Sequence, residues 1–237
     1  SGTPSLVSLE QRLLLAAPIV VSNAADTHVD GQINLREALA LSNANPGPDS
    51  ITFHASLRGK TSLLTLGQLT ISDTVKIVGL GAGDTILDAH LASRVFDITD
   101  TAGNVTLEGL TVTGGRTKNL DESGGGIRFL STGTLTIVNS VVTGNSTAGA
   151  RAYGGGIFSG AGAVAFTGSI LSNNSTTGLR SYGGGIYSSN GALTVDNSSI
   201  LGNSTSGVYA PGGGIFSRSR SVVLTNSSIS GNSTAGR

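Results

Sequence analysis

The chain has 237 residues, of which 36 are Gly, and it contains no Cys, Met or Trp. Charged residues make up only 12% of the sequence and the formal net charge is zero, a composition that argues against a disordered chain. The lack of Cys excludes a disulfide framework and Cys-ligated metals, and the irregular Gly spacing excludes collagen. No run of 18 apolar residues occurs, so no membrane span is predicted in this chain.

The charge is unevenly distributed along the sequence. Residues 1–122 carry 8 basic and 13 acidic side chains, whereas residues 123–237 carry 6 Arg and one acid, Asp196. Six Arg over that length do not make the dense basic patch that nucleic acid requires, so no nucleic-acid partner is predicted. The favoured interpretation is a sparsely charged surface, and an anionic polysaccharide or another acidic partner is the alternative.

The N-terminal part predicts a leader-like segment at residues 1–17 and a cap at residues 18–50. A helix is predicted over residues 33–45, because Asn34 and Glu37 have the spacing of a capping box and an Asn-Pro-Gly-Pro sequence follows. A strand begins near residue 50. A cap is expected at this place because the first coil of a solenoid exposes unpaired strand edges and an apolar cross-section.

Residues 51–122 predict irregular β-coils. Strand-like runs at residues 75–79, 94–98 and 105–112 are separated by Gly, Asp and Thr turns. Leu107 lies 30 residues before Ile137 of the first regular repeat, which suggests that these runs share its register.

Residues 123–237 contain four copies of a repeat. Gly-Gly-Gly-Ile begins at residues 124, 154, 183 and 212, and Asn-Ser-Thr recurs with a constant spacing of 29 residues. The copies are rich in Gly, Ser, Thr, Asn and Val, which are poor helix formers, and 29 residues are too few for a propeller blade. Alternation of apolar and polar residues from Leu193 to Asp196 predicts strands. The prediction is therefore an all-β parallel β-helix, continuous with residues 51–122.

Stacked coils place equivalent residues above one another at about 4.8 Å. The first residues of the Asn-Ser-Thr copies are predicted to form a structural ladder in which each side-chain amide pairs with the next. The Gly triplets are predicted to supply positive φ and close backbone approach at a corner. The ladder residues are Asn145, Asn174, Asn203 and Asn232.

Three segments resemble known families. Residues 26–53, with Asn34-Leu35-Arg36-Glu37-Ala38 at their centre, resemble the "CSLREA" N-terminal motif of bacterial secreted β-helix proteins, with Ile33 where the motif has Cys. The Gly-Gly-Gly-Ile and Asn-Ser-Thr copies resemble repeats of chlamydial polymorphic outer-membrane proteins. Residues 9–16 resemble the LEPR-x-LL leader of planctomycete secreted proteins, with Gln11 in place of Pro. The resemblances imply a right-handed β-helix in a bacterial protein exported to the cell surface or the extracellular space.

One acidic group is the only candidate for catalysis. Many polysaccharide lyases and hydrolases are parallel β-helices, and clustered carboxylates serve acid–base chemistry or bind Ca²⁺. If the protein is an enzyme, the candidate catalytic residues are Asp88, Arg94 and Asp97, in a region that also contains Asp84, His90 and Asp100. The favoured interpretation is that Asp84, Asp88 and Asp100 are turn residues that bond their own backbone, with no catalytic residue, no cofactor and no resident metal.

Three register columns in the repeats are candidates for ligand binding. If the Ile of each Gly-Gly-Gly-Ile points inward, the residue after it points outward. Aromatic rings beside Arg suit a glycan or a protein partner, and packing of the rings over the coil is the open alternative. A Thr column beginning at Thr147 also resembles the flat ladders of ice-binding solenoids. The candidates are Arg151, Arg180 and Tyr209, then Tyr153 and Tyr182, then Phe158, Tyr187 and Phe216.

The sequence thus favours a non-enzymatic surface or matrix protein with a structural or adhesive function, and a polysaccharide-active or glycan-binding protein is the alternative. The last repeat stops partway through its coil. An open β-helix end is a template for further pairing, so the chain is expected to pair with another coil end to end, including one from a second copy in a filament.

Overall fold

The computed structural model describes residues 17–218 and 221–236. Apart from Ala17, the leader-like segment lies outside the described residues. One α-helix, α1 (Leu35–Asn43), and a 3-10 turn (Ala55–Leu57) precede or interrupt a long series of short strands. No helix among the described residues is long and apolar enough to cross a bilayer.

The strands, in chain order, are β1 (Ile19–Val21), β2 (Asp49–Phe53), β3 (Lys60–Leu63), β4 (Leu69–Ile71), β5 (Val75–Val78), β6 (Thr85–Asp88), β7 (Phe96–Ile98), β8 (Val105–Glu108), β9 (Thr111–Thr113), β10 (Arg116–Thr117), β11 (Ile127–Phe129), β12 (Thr134–Val138), β13 (Val141–Thr143), β14 (Ser146–Thr147), β15 (Ile157–Ser159), β16 (Ala163–Thr167), β17 (Ile170–Ser172), β18 (Ser175–Thr176), β19 (Ile186–Ser188), β20 (Leu193–Asp196), β21 (Ser199–Leu201), β22 (Ser204–Thr205), β23 (Ile215–Ser217), β24 (Val222–Thr225), β25 (Ser228–Ser230) and β26 (Ser233–Thr234).

The strands form four parallel sheets that stack coil on coil. Sheet 1 has the order β1-β2-β5-β8-β12-β16-β20-β24, sheet 2 the order β3-β6-β9-β13-β17-β21-β25, and sheet 3 the order β4-β7-β11-β15-β19-β23. Sheet 4, made of the two-residue strands β10-β14-β18-β22-β26, starts only at Arg116–Thr117, near the end of the segment that was predicted to form irregular coils. The predicted parallel β-helix is confirmed, and the seven strands of sheet 2 correspond to seven coils.

The helix α1 closes the N-terminal end. Glu37 N donates to Asn34 Oδ1 and Asn34 N donates to Glu37 Oε2, both at 2.9 Å, which is the capping box expected from the sequence. The helix buries Leu35 and Leu39 against β1, β2 and β4. Strand β1 itself is the first strand of sheet 1, so the N-terminal segment also extends the β-helix.

Apolar residues at equivalent positions fill the interior. In sheet 1, Leu107 pairs with Ile137, which pairs with Phe166, and Phe166 pairs with Val195. These four side chains are fully or almost fully buried. Identical spacing brings one apolar residue from each coil into the same column, and burial of such columns supplies most of the stability.

The predicted Asn column is a continuous chain of amides inside the coil. Asn145 Nδ2 donates to Asn174 Oδ1 at 3.0 Å, and Asn174 Nδ2 donates to Asn203 Oδ1 at 2.9 Å. Asn203 Nδ2 donates to Asn232 Oδ1 at 3.0 Å. Each Oδ1 also accepts the backbone N–H of the preceding Asn in the column, so the ladder satisfies buried backbone donors at a corner.

The Thr column is buried at Thr147, Thr176 and Thr205. Thr147, Thr176 and Thr205 have no exposed area, and each Oγ1 donates to the carbonyl five residues later. Strand alternation from the inward Asn145 puts Ser146 outside and Thr147 inside. These three Thr residues therefore do not form the flat exposed ladder of an ice-binding solenoid that the column resembles in the sequence.

The Gly triplets make a tight corner. Gly154 has φ +66°, and a Cβ on Gly155 would lie 2.2 Å from Ser175 O and 2.5 Å from Gly184 O. Distances this short leave no room for any side chain, so the corner requires Gly for both backbone conformation and approach.

Candidate functional site

A loop corner between sheet 4 and sheet 3 carries the predicted ligand-binding residues. It occurs once in each regular coil, between β10 and β11, β14 and β15, β18 and β19, and β22 and β23. Backbone hydrogen bonds hold the corners in register: Arg151 N donates to Leu179 O and Arg180 N donates to Val208 O, both at 2.9 Å.

One column of this corner consists of left-handed residues with large or charged side chains. Asp121, Arg151, Arg180 and Tyr209 occupy equivalent positions with φ of 60°, 55°, 54° and 56°. All four are exposed. The structure thus brings Arg151, Arg180 and Tyr209 together as the sequence predicts and adds Asp121 below them. We call these four residues the left-handed column.

Neighbours within the left-handed column contact each other. Arg151 Nε and Nη2 donate to Asp121 Oδ1 and Oδ2 at 2.9 and 3.0 Å, a bidentate pair. The guanidinium carbon of Arg180 lies 6.0 Å from the centre of the Tyr209 ring, within the range of a cation–π contact. Among the described residues, no carboxylate lies within ion-pair distance of Arg180.

The five predicted aromatic residues form a continuous stack beside this column. Tyr153 and Tyr182 come from the corner, and Phe158, Tyr187 and Phe216 come from the outer face of sheet 3. Ring centres are 4.7 Å apart for Tyr153 and Tyr187, 5.2 Å for Tyr153 and Tyr182, and 5.5 Å for Tyr187 and both Phe rings.

The aromatic stack is half-buried by its own contacts. Tyr187, at its centre, is only 4% exposed, whereas Tyr153, Tyr182 and Phe158 are half-buried. The two alternatives from the sequence are therefore combined, because the rings point outward and also pack on one another. Burial raises the pKa of the Tyr153 hydroxyl, and a hydrogen bond to Tyr187 raises the pKa of the Arg218 guanidinium.

Exposed apolar residues flank the left-handed column on its other side. Leu120, Leu179 and Val208 immediately precede Asp121, Arg180 and Tyr209 in the chain. Their exposed fractions are 61%, 50% and 48%. An apolar row next to Arg and Tyr gives the corner both a cationic and an apolar side.

A buried charge cluster lies at the N-terminal end of the aromatic stack. Arg128 pairs in register with both Asp97 and Phe158. Arg128 Nε and Nη2 donate to Asp97 Oδ1 and Oδ2 at 2.6 and 2.7 Å, and Arg94 Nη1 lies 3.8 Å from Asp97 Oδ1. Gln68 Nε2 also donates to Asp97. Burial and the neighbouring Arg128 charge lower the pKa of Arg94.

The predicted acidic group does not assemble as one site. Asp88 ends β6 in sheet 2, whereas Asp97 lies in β7 of sheet 3, so the two carboxylates belong to different faces. Asp88 Oδ1 accepts from His90 N at 2.7 Å, which is a turn bond, and Asp84 pairs with Arg58. Of the three candidate catalytic residues, only Arg94 and Asp97 are neighbours. Within the described ranges, no group of His, Asp and Glu has the arrangement of a metal site.

Sequence reasoning missed several members of these groups. Arg128 follows Ile127 of the first Gly-Gly-Gly-Ile copy, just as Phe158 follows Ile157. Extending that column one coil upstream would have found Arg128, and the same step from Arg151 leads to Asp121. The pairing of Arg128 with Asp97 had no such signal, since the earlier coil lacks the repeat.

A family model described as a right-handed β-helix region matches residues 98–236. No curated protein and no solved structure matches the chain.

Proposed function

We propose that this chain, which belongs to the right-handed β-helix family, is a non-enzymatic adhesive or structural segment of an exported bacterial surface or matrix protein. The fold of this family serves both adhesins and polysaccharide-active enzymes. A fold does not specify a function, so the proposal depends on the site. The observation that carries it is the left-handed column together with the aromatic stack. This surface offers cations, rings and apolar side chains, but it contains only one carboxylate, Asp121, which is paired with Arg151.

The contacts of Asp84, Asp88 and Asp97 support a non-catalytic protein. General acid–base chemistry needs a carboxyl group that reaches the substrate. Asp97 is bound on both oxygens by Arg128 and its side chain is 7% exposed. Asp84 is paired with Arg58 and Asp88 closes a turn.

End-to-end association of copies is the proposed partner interaction, next to a cell-surface glycan or protein. Each coil already pairs with the next through parallel strands, as β20 does with β24 and β21 with β25, and a coil of a second copy would pair in the same way.

The experiment for this function combines a glycan array with two cleavage assays. The chain is incubated with the polysaccharides that it binds, and both new reducing ends and the ultraviolet absorbance of unsaturated products are measured. Beads coated with the chain are tested for adhesion to cells and to immobilised glycans. We expect adhesion or binding without cleavage. Cleavage at a rate above buffer, or absence of all adhesion, would contradict the proposal.

A polysaccharide-active enzyme is the second candidate, and one observation favours it. Asp97 and Arg128 lie in the same column as Phe158, with Arg94 beside Asp97, so a sugar chain along the aromatic stack would end against this cluster. If cleavage is found, Asp97→Asn should abolish it and Asp88→Asn should not. Asp97→Asn also breaks a buried ion pair, so the melting temperature of this variant must be measured together with its activity to separate unfolding from loss of catalysis.

A further inference from the structure

The left-handed column differs from every other left-handed column of the regular coils. The other three are filled only by Gly or Asn, the two residues that adopt positive φ at the lowest free-energy cost. They are Gly109, Asn139, Gly168, Asn197 and Asn226, then Gly114, Gly144, Asn173, Gly202 and Gly231, then Gly124, Gly154, Gly183 and Gly212.

Packing does not explain the exception. The Tyr209 side chain is 65% exposed, and Arg151 and Arg180 are also exposed. Strained backbone with a solvent-facing Arg or Tyr at three of four steps is typical of a surface on which the side chain has a function. The exposed side chains themselves, rather than their packing, therefore distinguish this column.

Charge indicates the kind of ligand. Residues 123–237 carry six Arg against the single acid Asp196. Asp121, the acidic member of the column, is paired with Arg151, whereas Arg180 has no acidic partner among the residues that the structure describes. Tyr182, Tyr209 and Pro211 line one groove beside it. A guanidinium next to flat aromatic rings matches a ligand with both anionic groups and apolar sugar faces.

We infer that the left-handed column and the adjoining rings of Tyr153 and Tyr182 bind an anionic polysaccharide that lies along the β-helix axis. Arg180 and Arg151 contact its carboxylate or sulfate groups, and Tyr209 and the two corner Tyr rings stack on its sugars. Coils repeat at about 4.8 Å, so a linear polymer with a charge on each sugar meets a cation or a ring at each of the three successive coils that carry Arg151, Arg180 and Tyr209. This inference rests on the proposed adhesive function and names the ligand class for it.

The test replaces the column with the residue that the other corners use. Arg180→Asn and Tyr209→Asn keep a residue that tolerates positive φ, and Arg58→Asn removes an exposed cation from the N-terminal part as a matched control. Binding of each variant to polygalacturonate, heparin, neutral dextran and poly-L-glutamate is measured by calorimetry at low salt. Melting temperatures are recorded in parallel.

We expect the unchanged chain to bind polygalacturonate or heparin more tightly than dextran or poly-L-glutamate. Arg180→Asn should weaken that binding by roughly tenfold, as the loss of one charge-assisted contact does, and Tyr209→Asn should weaken it as well. Neither change should lower the melting temperature, and Arg58→Asn should leave binding unchanged.

Each other outcome overturns the inference in a distinct way. Equal binding of poly-L-glutamate means simple ion exchange, and unchanged binding by both Asn variants means another site. A lower melting temperature for both variants means that the column is structural. Binding of dextran without either polyanion refutes the ligand class but leaves the proposed adhesive function intact. If the chain binds none of the four polymers, the inference is wrong, and the bead assay decides the adhesive function separately.

Discussion

Replacing Asn174 with Ala interrupts the amide ladder at a fully buried step. The Asn174 side chain is fully buried and takes part in four hydrogen bonds. Its Oδ1 accepts from the N–H and the Nδ2 of Asn145, and its Nδ2 donates to Val142 O and Asn203 Oδ1 at 3.0 and 2.9 Å. Ala can replace none of these bonds.

The expected loss follows from the groups left without this partner. A typical buried hydrogen bond contributes about 1 kcal/mol net, and an unsatisfied buried group costs about 1–3 kcal/mol. We therefore expect Asn174→Ala to lower the free energy of unfolding by about 4 kcal/mol. Asn190→Ala is the matched control, because Asn190 is exposed and makes one bond, to Gly160 O. Its effect should stay within about 0.5 kcal/mol.

Urea unfolding followed by circular dichroism measures both free energies. Hydrogen exchange adds a local readout, because the Asn145 amide should lose its protection in Asn174→Ala. A loss below about 1 kcal/mol, or a loss no larger than that of Asn190→Ala, would refute the argument that the ladder carries buried backbone donors.

Three further changes test the inside–outside arrangement, the corner and one pH-dependent contact. Val195→Asp should cost several kcal/mol, since it puts an unpaired charge at a fully buried position, whereas Asp196→Ala should be nearly neutral in the same urea assay. Gly184→Ala should lower the melting temperature strongly, because a Cβ there would lie 2.2 Å from a carbonyl oxygen of the next coil. Hydrogen bonding to Glu37 raises the pKa of His28, so an NMR titration of His28 should give a value above the ordinary one, and Glu37→Gln should lower it. The stabilisation from this contact is full below the ordinary His pKa and is lost as the pH rises through the raised pKa.

Each of these has its own control. Gly83→Ala serves for the corner, because a Cβ at Gly83 meets nothing within 4 Å and its φ lies outside the left-handed region. Equal melting shifts for the two Gly variants would contradict the steric argument. Equal effects of the changes at Val195 and Asp196 would mean that the two faces of β20 are assigned the wrong way round. An unchanged His28 titration in Glu37→Gln would remove the contact as its cause.

The sequence alone determined the architecture. A constant 29-residue spacing of Asn174 and its equivalents requires that each copy meets the next in the same way, and only stacked coils do this for every column at once. The start of the helix could also be predicted from the local sequence, because Asn34 and Glu37 lie three residues apart and bond within one turn. The columns that contain Arg151 and Tyr153 were predicted from the same 29-residue spacing.

Tertiary structure decided which side chains meet across coils and faces. Asp88 and Asp97 are nine positions apart, yet the chain turns between β6 and β7 and separates them onto two sheets. Asp97 and Arg128 are 31 positions apart and form a bidentate pair, because one turn of the solenoid returns the chain to the same face. Thr147 is buried because the alternation from Asn145 continues into sheet 4. A repeat determines which residues share a column. Whether a column faces the interior or the solvent, and what lies next to it where the repeat ends, depends on how each coil bends.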